Sequence, residues 1–283
     1  MPGGQKLITG FKNFLNSPPT YVGLLLGTCG GFVVANYSTL KEANKDGMSL
    51  VKKLSFAIQN STITHSRSSH FIARPKMKEK IGEAFTYESL KGDRYTIVYG
   101  PKGIGKTELV DHTAIGKKGV VKMRISSTNS KDEVIQSLTK KLLGESNSNF
   151  DVDLFIEAIK KCGIIPTIIF DVERSLSPLG TRDHVVDAVR SLSKDLAPYC
   201  RCIIVLSEAN AVPQFGRDGR ESFIYVDEME REEAKLLLEK CKINLTDADL
   251  DYVFSNIGTS PLKLIRLAKS NSKTYSAKGR FQM

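Results

Sequence analysis

Several things are scarce in this chain. No arginine precedes Arg67, and no acidic residue precedes Glu42. Between Lys12 and Lys41 there is no charge of either sign. Histidine occurs four times, scattered, so neighbouring imidazoles assemble no metal cluster. The cysteines are Cys29, Cys162, Cys200, Cys202 and Cys241. Their odd count and irregular spacing match neither a zinc pattern nor a disulfide framework, which leaves buried thiols in a reducing compartment. Cys200 and Cys202 fall in a strand pattern, where one intervening residue puts both on one face. There is no internal repeat.

The rest of the composition is ordinary. Apolar residues make up 41% and charged residues 25%, as in soluble globular proteins. A length of 283 residues accommodates one or two domains. Seven of the 41 basic residues and two of the 31 acidic ones lie in the first 70. Half of the net charge of +10 therefore comes from a quarter of the chain. The remainder is only mildly basic, which argues against nucleic acid as a partner.

One stretch organises the chain. Gly100-Pro101-Lys102-Gly103-Ile104-Gly105-Lys106-Thr107 fits G-x-x-x-x-G-K-[ST], the phosphate-binding loop of nucleoside triphosphatases. The backbone there must curl closely around phosphate oxygens, which a Cβ would obstruct. The loop N–H groups and the following helix N-terminus, through Glu108, supply positive potential. Lys106 is the charge for the β- and γ-phosphates of ATP, and the Thr107 hydroxyl is a Mg²⁺ ligand. The context agrees with the motif. Arg94–Tyr99 reads as a strand ending at Gly100, and Lys106–Ala114 reads as a helix.

Further strands are predicted at Val120–Ile125, Pro166–Asp171, Arg201–Ser207 and Phe223–Val226. Helical patterns separate them, one opened by a Ser130-x-x-Glu133 capping box. Alternation of strand and helix predicts an α/β fold with a parallel sheet. Past Val226 the chain turns all-helical, with Ser260-Pro261 as an N-cap and first-turn proline.

The uncharged stretch near the N-terminus has an apolar core, residues 21–37, of about 17 residues, the short limit for a bilayer span. Tyr21 and Tyr37 bracket it like interface anchors, and Gly23, Gly27 and Gly31 recur every four residues. The reading is a membrane helix. A signal peptide, a targeting segment and a glycine-weakened soluble segment remain alternatives. Lys41, Lys45, Lys52 and Lys53 follow the span, which places the C-terminal body on the cytoplasmic or mitochondrial matrix side. Residues 60–70 read as a polar linker. The expected division is an N-terminal segment 1–70, a core 71–226, a helical lid 227–270 and a tail 271–283.

Mg²⁺ needs a second anchor, and Ile168-Ile169-Phe170-Asp171 ends an apolar strand in a carboxylate, the Walker B pattern. Water must also be oriented or deprotonated. Glu173 is the nearest carboxylate, and Glu208, Ser207 and Asn210 follow the fourth strand. Each could equally be a loop residue.

These motifs together resemble the AAA+/STAND group of additional-strand ATPases, in its archaeal-type branch. The resemblance covers residues 71 to 269. It rests on the loop, the Asp171 strand, the Ser207 strand end and Gly258-Thr259-Ser260-Pro261, which is similar to the G-x-P segment of a helical lid. It implies sheet order 5-1-4-3-2, a lid over the nucleotide, Pro261 beside the base or ribose, and Phe71, Ile72 and Arg74 entering beside the adenine. It also implies a homo-oligomer in which an arginine before the fifth strand, Arg217 or Arg220, reaches a neighbour's γ-phosphate. Solvated loop charge is the alternative for both arginines. One departure stands out. The AAA+ pattern has glutamate directly after the Walker B aspartate, where this chain has Val172. Glu173, one position later, lies on the other face of a strand. The expectation is an ATPase or slow ATP-dependent switch acting on a protein partner, with a non-hydrolysing scaffold and a nucleic-acid-dependent ATPase as rivals.

Overall fold

The structure is a computed structural model that describes residues 49–64, 69–86, 94–126, 130–144, 150–173, 184–207, 212–213, 215 and 219–275, the last five of them as backbone only. The elements are α1 (Leu50–Asn60), α2 (Pro75–Glu83), β1 (Tyr95–Tyr99), α3 (Lys106–Ala114), β2 (Val120–Ile125), α4 (Lys131–Leu143), α5 (Val152–Lys160), β3 (Thr167–Val172), α6 (His184–Leu196), β4 (Arg201–Leu206), β5 (Glu221–Tyr225), α7 (Arg231–Lys240), α8 (Asp247–Ile257) and α9 (Pro261–Tyr275). The strands form one sheet in the order β2-β3-β4-β1-β5, and every pairing is parallel. That is the order that the resemblance implies, written from the other edge.

Burial explains the central strands. β3 is buried at all six positions because helices cover both faces of the sheet. Its side chains alternate between two apolar clusters. Ile168, Phe170 and Val172 face α1, α4, α5 and α6, while Ile169 faces α2 and α3. Asp171 shares the α3 face and lies in register with Arg124 of β2 and Val205 of β4. Cys200 and Cys202 share a face as expected, their sulfurs 3.7 Å apart in the core. The Ser130 hydroxyl accepts the Glu133 N–H at 3.2 Å and caps α4.

The domain boundary at 71 needs correction. Leu54 and Ile58 of α1 are fully buried and pack into the cluster that holds Phe155 and Leu138. Beyond α1, the Ser61 carbonyl accepts the Gly119 N–H at 2.8 Å, and Ile63 forms an isolated parallel bridge with Ile115. The core therefore begins at α1, and the expected linker over 60–70 is tied into it as far as Ile63. The signal was present in the sequence. Leu50, Leu54, Ala57 and Ile58 recur at helical spacing, behind the Lys52-Lys53 pair.

After the sheet, α7, α8 and α9 enclose an apolar cluster of their own, built from Met229, Ala234, Leu237, Leu238, Leu250 and Leu264. The span expected over 21–37 lies outside the described residues, as does Cys29. Among the described residues no helix is long and apolar enough to cross a membrane.

If α1 is part of the core, Leu54→Ala should cost about 2–5 kcal/mol of stability, as for buried leucines generally. Urea unfolding of the full chain reads this directly. A midpoint within error of the wild type would return α1 to a linker.

Candidate nucleotide-binding site

The site lies at the C-terminal ends of the strands, where β1 runs into the glycine-rich loop. Gly100 takes φ +151°, and a Cβ there would sit 2.3 Å from the Val226 carbonyl oxygen. Gly103 takes φ +83°, and a Cβ there would meet Leu262 at 2.7 Å. Both positions thus require glycine. Ile104, buried at the loop's crown, anchors it in the apolar cluster under α3. Pro101 and Lys102 are exposed, and Glu108 is half-buried on the first turn of α3.

Lys106 is only 6% exposed. Its ammonium donates to the carbonyls of Gly100 at 2.9 Å, Pro101 at 2.8 Å and Ser207 at 3.4 Å. Burial lowers its pKa to about 8, with Asp171 pulling the other way. The Thr107 hydroxyl donates to Asp171 Oδ1 at 3.2 Å. Thr107 and Asp171, predicted as the two metal anchors, are thus adjacent.

Two further charges belong to this cluster and were not singled out from the sequence. Lys122 of β2 reaches both oxygens of Asp111, at 2.7 and 2.8 Å, and Asp171 Oδ2 at 3.3 Å. Lys122 is 3% and Asp111 1% exposed. Burial pushes the Asp111 carboxyl upward, and Lys122 opposes that. A lysine inside the apolar run of β2 was the available signal, because a buried ammonium requires a partner.

Other predicted residues are placed differently. The Glu173 carboxylate pairs with Arg124. Val172, where the AAA+ pattern has glutamate, is 3% exposed inside the apolar cluster of the opposite face. The Ser207 hydroxyl is turned to the Val172 carbonyl at 2.9 Å, so its backbone oxygen rather than its side chain meets Lys106. Arg220 is exposed and immediately precedes β5, at the sheet end opposite the loop. Arg217, Glu208 and Asn210 lie outside the described residues.

The helical unit touches the loop. The Leu262 N–H donates to the Gly103 carbonyl at 3.2 Å, and Pro261 lies 4.0 Å from the position of a Cβ on Gly105. Phe71 stacks on His112 of α3, and Ile72 packs into the helical cluster. Arg74, 5% exposed, forms an ion pair with Glu233 at 3.0 Å and donates to the Asp227 and Glu228 carbonyls at 3.0 and 2.8 Å.

The donor set fits a nucleoside triphosphate with Mg²⁺. Thr107 and Asp171 offer hard oxygens, and Mg²⁺ is held by one or two carboxylates together with substrate phosphates. Among the described residues no group of three His, Cys, Asp or Glu side chains could hold a metal ion, so an ion here would share its shell with phosphate oxygens. Lys106 supplies the phosphate charge, and the glycine cradle supplies the space.

A parallel sheet in this order, with a glycine-rich loop leaving β1 and a carboxylate near the end of β3, the next strand but one, is consistent with a P-loop nucleoside triphosphatase fold. No protein-family model matches the chain, and no curated protein matches it. Among solved structures it is similar to a STAND protein (signal transduction ATPase with numerous domains) with a tetratricopeptide repeat sensor from Pyrococcus horikoshii. That match has 18% identity and a TM-score of 0.48, covering 77% of this chain and 34% of the other. The chain thus spans about a third of that protein's length. It is also similar to Drosophila ORC bound to DNA, at 12% identity and a TM-score of 0.49, covering 97% of this chain and 70% of the other. At these values neither likeness bears on ligand or partner, and the assignment rests on the loop, the strand order and Asp171.

Lys106→Ala should abolish ATP binding, and Asp171→Asn should weaken only its Mg²⁺-dependent part. Because the free protein's Lys106 loses its proton near pH 8, metal-free ATP affinity should fall as pH rises above that value. The limiting slope is about tenfold per pH unit. Titration calorimetry in EDTA between neutral and alkaline pH tests this, and a flat profile would contradict the role of Lys106.

Proposed function

We propose that this chain binds MgATP and works as a slow ATP-dependent switch on a protein partner. The observation that carries the reading is the arrangement around Asp171. Lys106 and Thr107 converge beside it, yet the following residue, Val172, is buried on the far face. Hydrolysis needs a group to orient or deprotonate water. Glu173 is committed to Arg124, and the Ser207 hydroxyl is committed to a backbone carbonyl. Binding is thus well provided for, while the two candidates for water activation among the described residues, Glu173 and Ser207, are engaged elsewhere. The direct contact between Leu262 and Gly103 gives the loop a mechanical link to the helical unit.

Two extensions rest on narrower grounds. A membrane anchor over residues 21–37, with the ATPase on the cytoplasmic or mitochondrial matrix side, is supported by the uncharged apolar run and the lysines after it. Carbonate-resistant pelleting of the full chain, lost on deletion of 21–37, tests it. A homo-oligomer is supported by Arg220, which is exposed at the sheet end far from its own loop and so suits a neighbour's nucleotide better. Arg217 belongs to the same interval.

Turnover should be on the order of 10⁻⁴ to 10⁻² s⁻¹, as in P-loop switches acting without an activating partner. Glu173→Gln should leave it nearly unchanged. Rapid turnover that Glu173→Gln removes would overturn the slow-switch reading. Complete absence of hydrolysis with intact binding would favour a non-hydrolysing scaffold instead. If Arg217 or Arg220 acts in trans, specific activity rises with protein concentration. Either arginine-to-alanine subunit then regains activity when mixed with Lys106→Ala subunits. Concentration-independent turnover that survives both substitutions leaves a monomeric switch.

A further inference from the structure

We infer that Lys122 is a positioning residue for the metal-ligating carboxylate of Asp171. The inference rests on the nucleotide reading above and adds a residue that the phosphate-loop and Walker B motifs do not contain.

An edge strand packed against α3 has no need of a buried cation. Val120, the preceding side chain on the same face of β2, is apolar and buried against α3. An ammonium carries three protons. Here it donates to Asp111 Oδ1 at 2.7 Å and Asp111 Oδ2 at 2.8 Å, and forms an ion pair with Asp171 Oδ2 at 3.3 Å. Asp111 lies on α3, the helix that begins at Lys106. It fixes the ammonium, and the ammonium then holds one oxygen of Asp171. The other oxygen, Oδ1, is left to Thr107 at 3.2 Å.

The consequence is a divided carboxylate. With Oδ2 occupied by Lys122, the group does not turn to offer both oxygens to one ion. Mg²⁺ demands near-octahedral geometry and takes single oxygens from its protein ligands. Lys122 therefore presents Asp171 in the orientation that suits Mg²⁺ and keeps Oδ1 on the Thr107 side. Partners of this kind, which hold a metal ligand without touching the metal, commonly change affinity 10- to 100-fold when removed.

The simpler alternative is a structural ion pair between Lys122 and Asp111 with no bearing on Asp171. Lys122→Met alone does not separate the two, because it strands two buried carboxylates and threatens folding. Removing both partners of the pair is gentler. The full chain should be compared as wild type, Asp111→Asn, and the double variant Lys122→Met/Asp111→Asn. Displacement of a fluorescent ATP analogue gives ATP affinity in EDTA and the Mg²⁺ concentration at which that affinity tightens.

In the double variant the Mg²⁺ midpoint should rise about tenfold or more, while affinity in EDTA stays within about twofold of wild type. In Asp111→Asn, which keeps Lys122 on Asp171, the midpoint should stay within about threefold. An unchanged or lowered midpoint in the double variant overturns the inference. So does a shift in Asp111→Asn as large as in the double variant. Wild-type protein that binds no ATP would refute the nucleotide reading itself, and this inference with it.

Discussion

A buried ammonium has to be surrounded by oxygen, and Lys106 imposes that condition on much of the molecule. Its carbonyl partners come from the C-terminal ends of two neighbouring strands: Gly100 and Pro101 from the loop after β1, and Ser207 from the end of β4. The loop turns its carbonyls inward only with glycine at positive φ, at Gly100 and Gly103. Ser207 is within reach only because β4 pairs directly with β1. Asp171 supplies the opposing charge because β3 is the next strand across. Strand order, loop composition and charge placement are thus parts of one electrostatic solution. Burial still wins by some margin, since the Lys106 pKa is lowered to about 8 despite Asp171. An amine so poorly solvated is poised to gain from a phosphate, which brings the negative charge that its carbonyl partners lack.

The sheet and the loop were legible in the sequence because their signals are local. β-branched runs ending in glycine or aspartate mark strands, and G-x-x-x-x-G-K-T marks a backbone shape. The helical unit was legible from i, i+3, i+4 spacing and from Pro261. What escaped was pairing between distant elements. Periodicity could place Lys122 on the α3 face of β2, but nothing local said that Asp111 and Asp171 would meet it there. Glu173 illustrates the same point. Its position one residue late was readable, while its capture by Arg124 depended on the β2–β3 register. α1 was lost for a different reason. Its two lysines continue the basic stretch after the uncharged segment, and charge masked a short amphipathic pattern.

The charged cluster under the loop bears on why the core tolerates so many buried ions. Lys106, Lys122, Asp111 and Asp171 are each no more than 6% exposed and carry two charges of each sign. Removing one member of such a set is costly, because the rest are left uncompensated in a poor solvent. Apolar residues could fill the same volume at no electrostatic cost, so stability alone does not account for the cluster. The positioning role proposed for Lys122 would account for it. The contrast with Val172 is informative. On one face of β3 the chain maintains a buried ionic site, and on the other a core side chain, Val172, stands where the AAA+ pattern has glutamate.

The loop and the helical unit are coupled through backbone rather than through long side chains. The Leu262 N–H, at the start of α9, is spent on the Gly103 carbonyl, and the closeness of Leu262 is what forbids a Cβ on Gly103. A change in loop shape therefore reaches α9 without an intermediary. The other attachments lie at the turn between β5 and α7. Glu228 accepts the Thr259 N–H at 3.0 Å, and the Thr259 hydroxyl donates to the Met229 carbonyl at 2.7 Å. Arg74 ties the strand-to-helix turn at Asp227 and Glu228 to the segment entering α2. Such contacts give a ligand leverage only if it binds the docked and undocked arrangements with different affinity. A nucleotide in the proposed site would meet that condition if it favoured the curled loop shape in which the Gly103 carbonyl accepts the Leu262 N–H of α9.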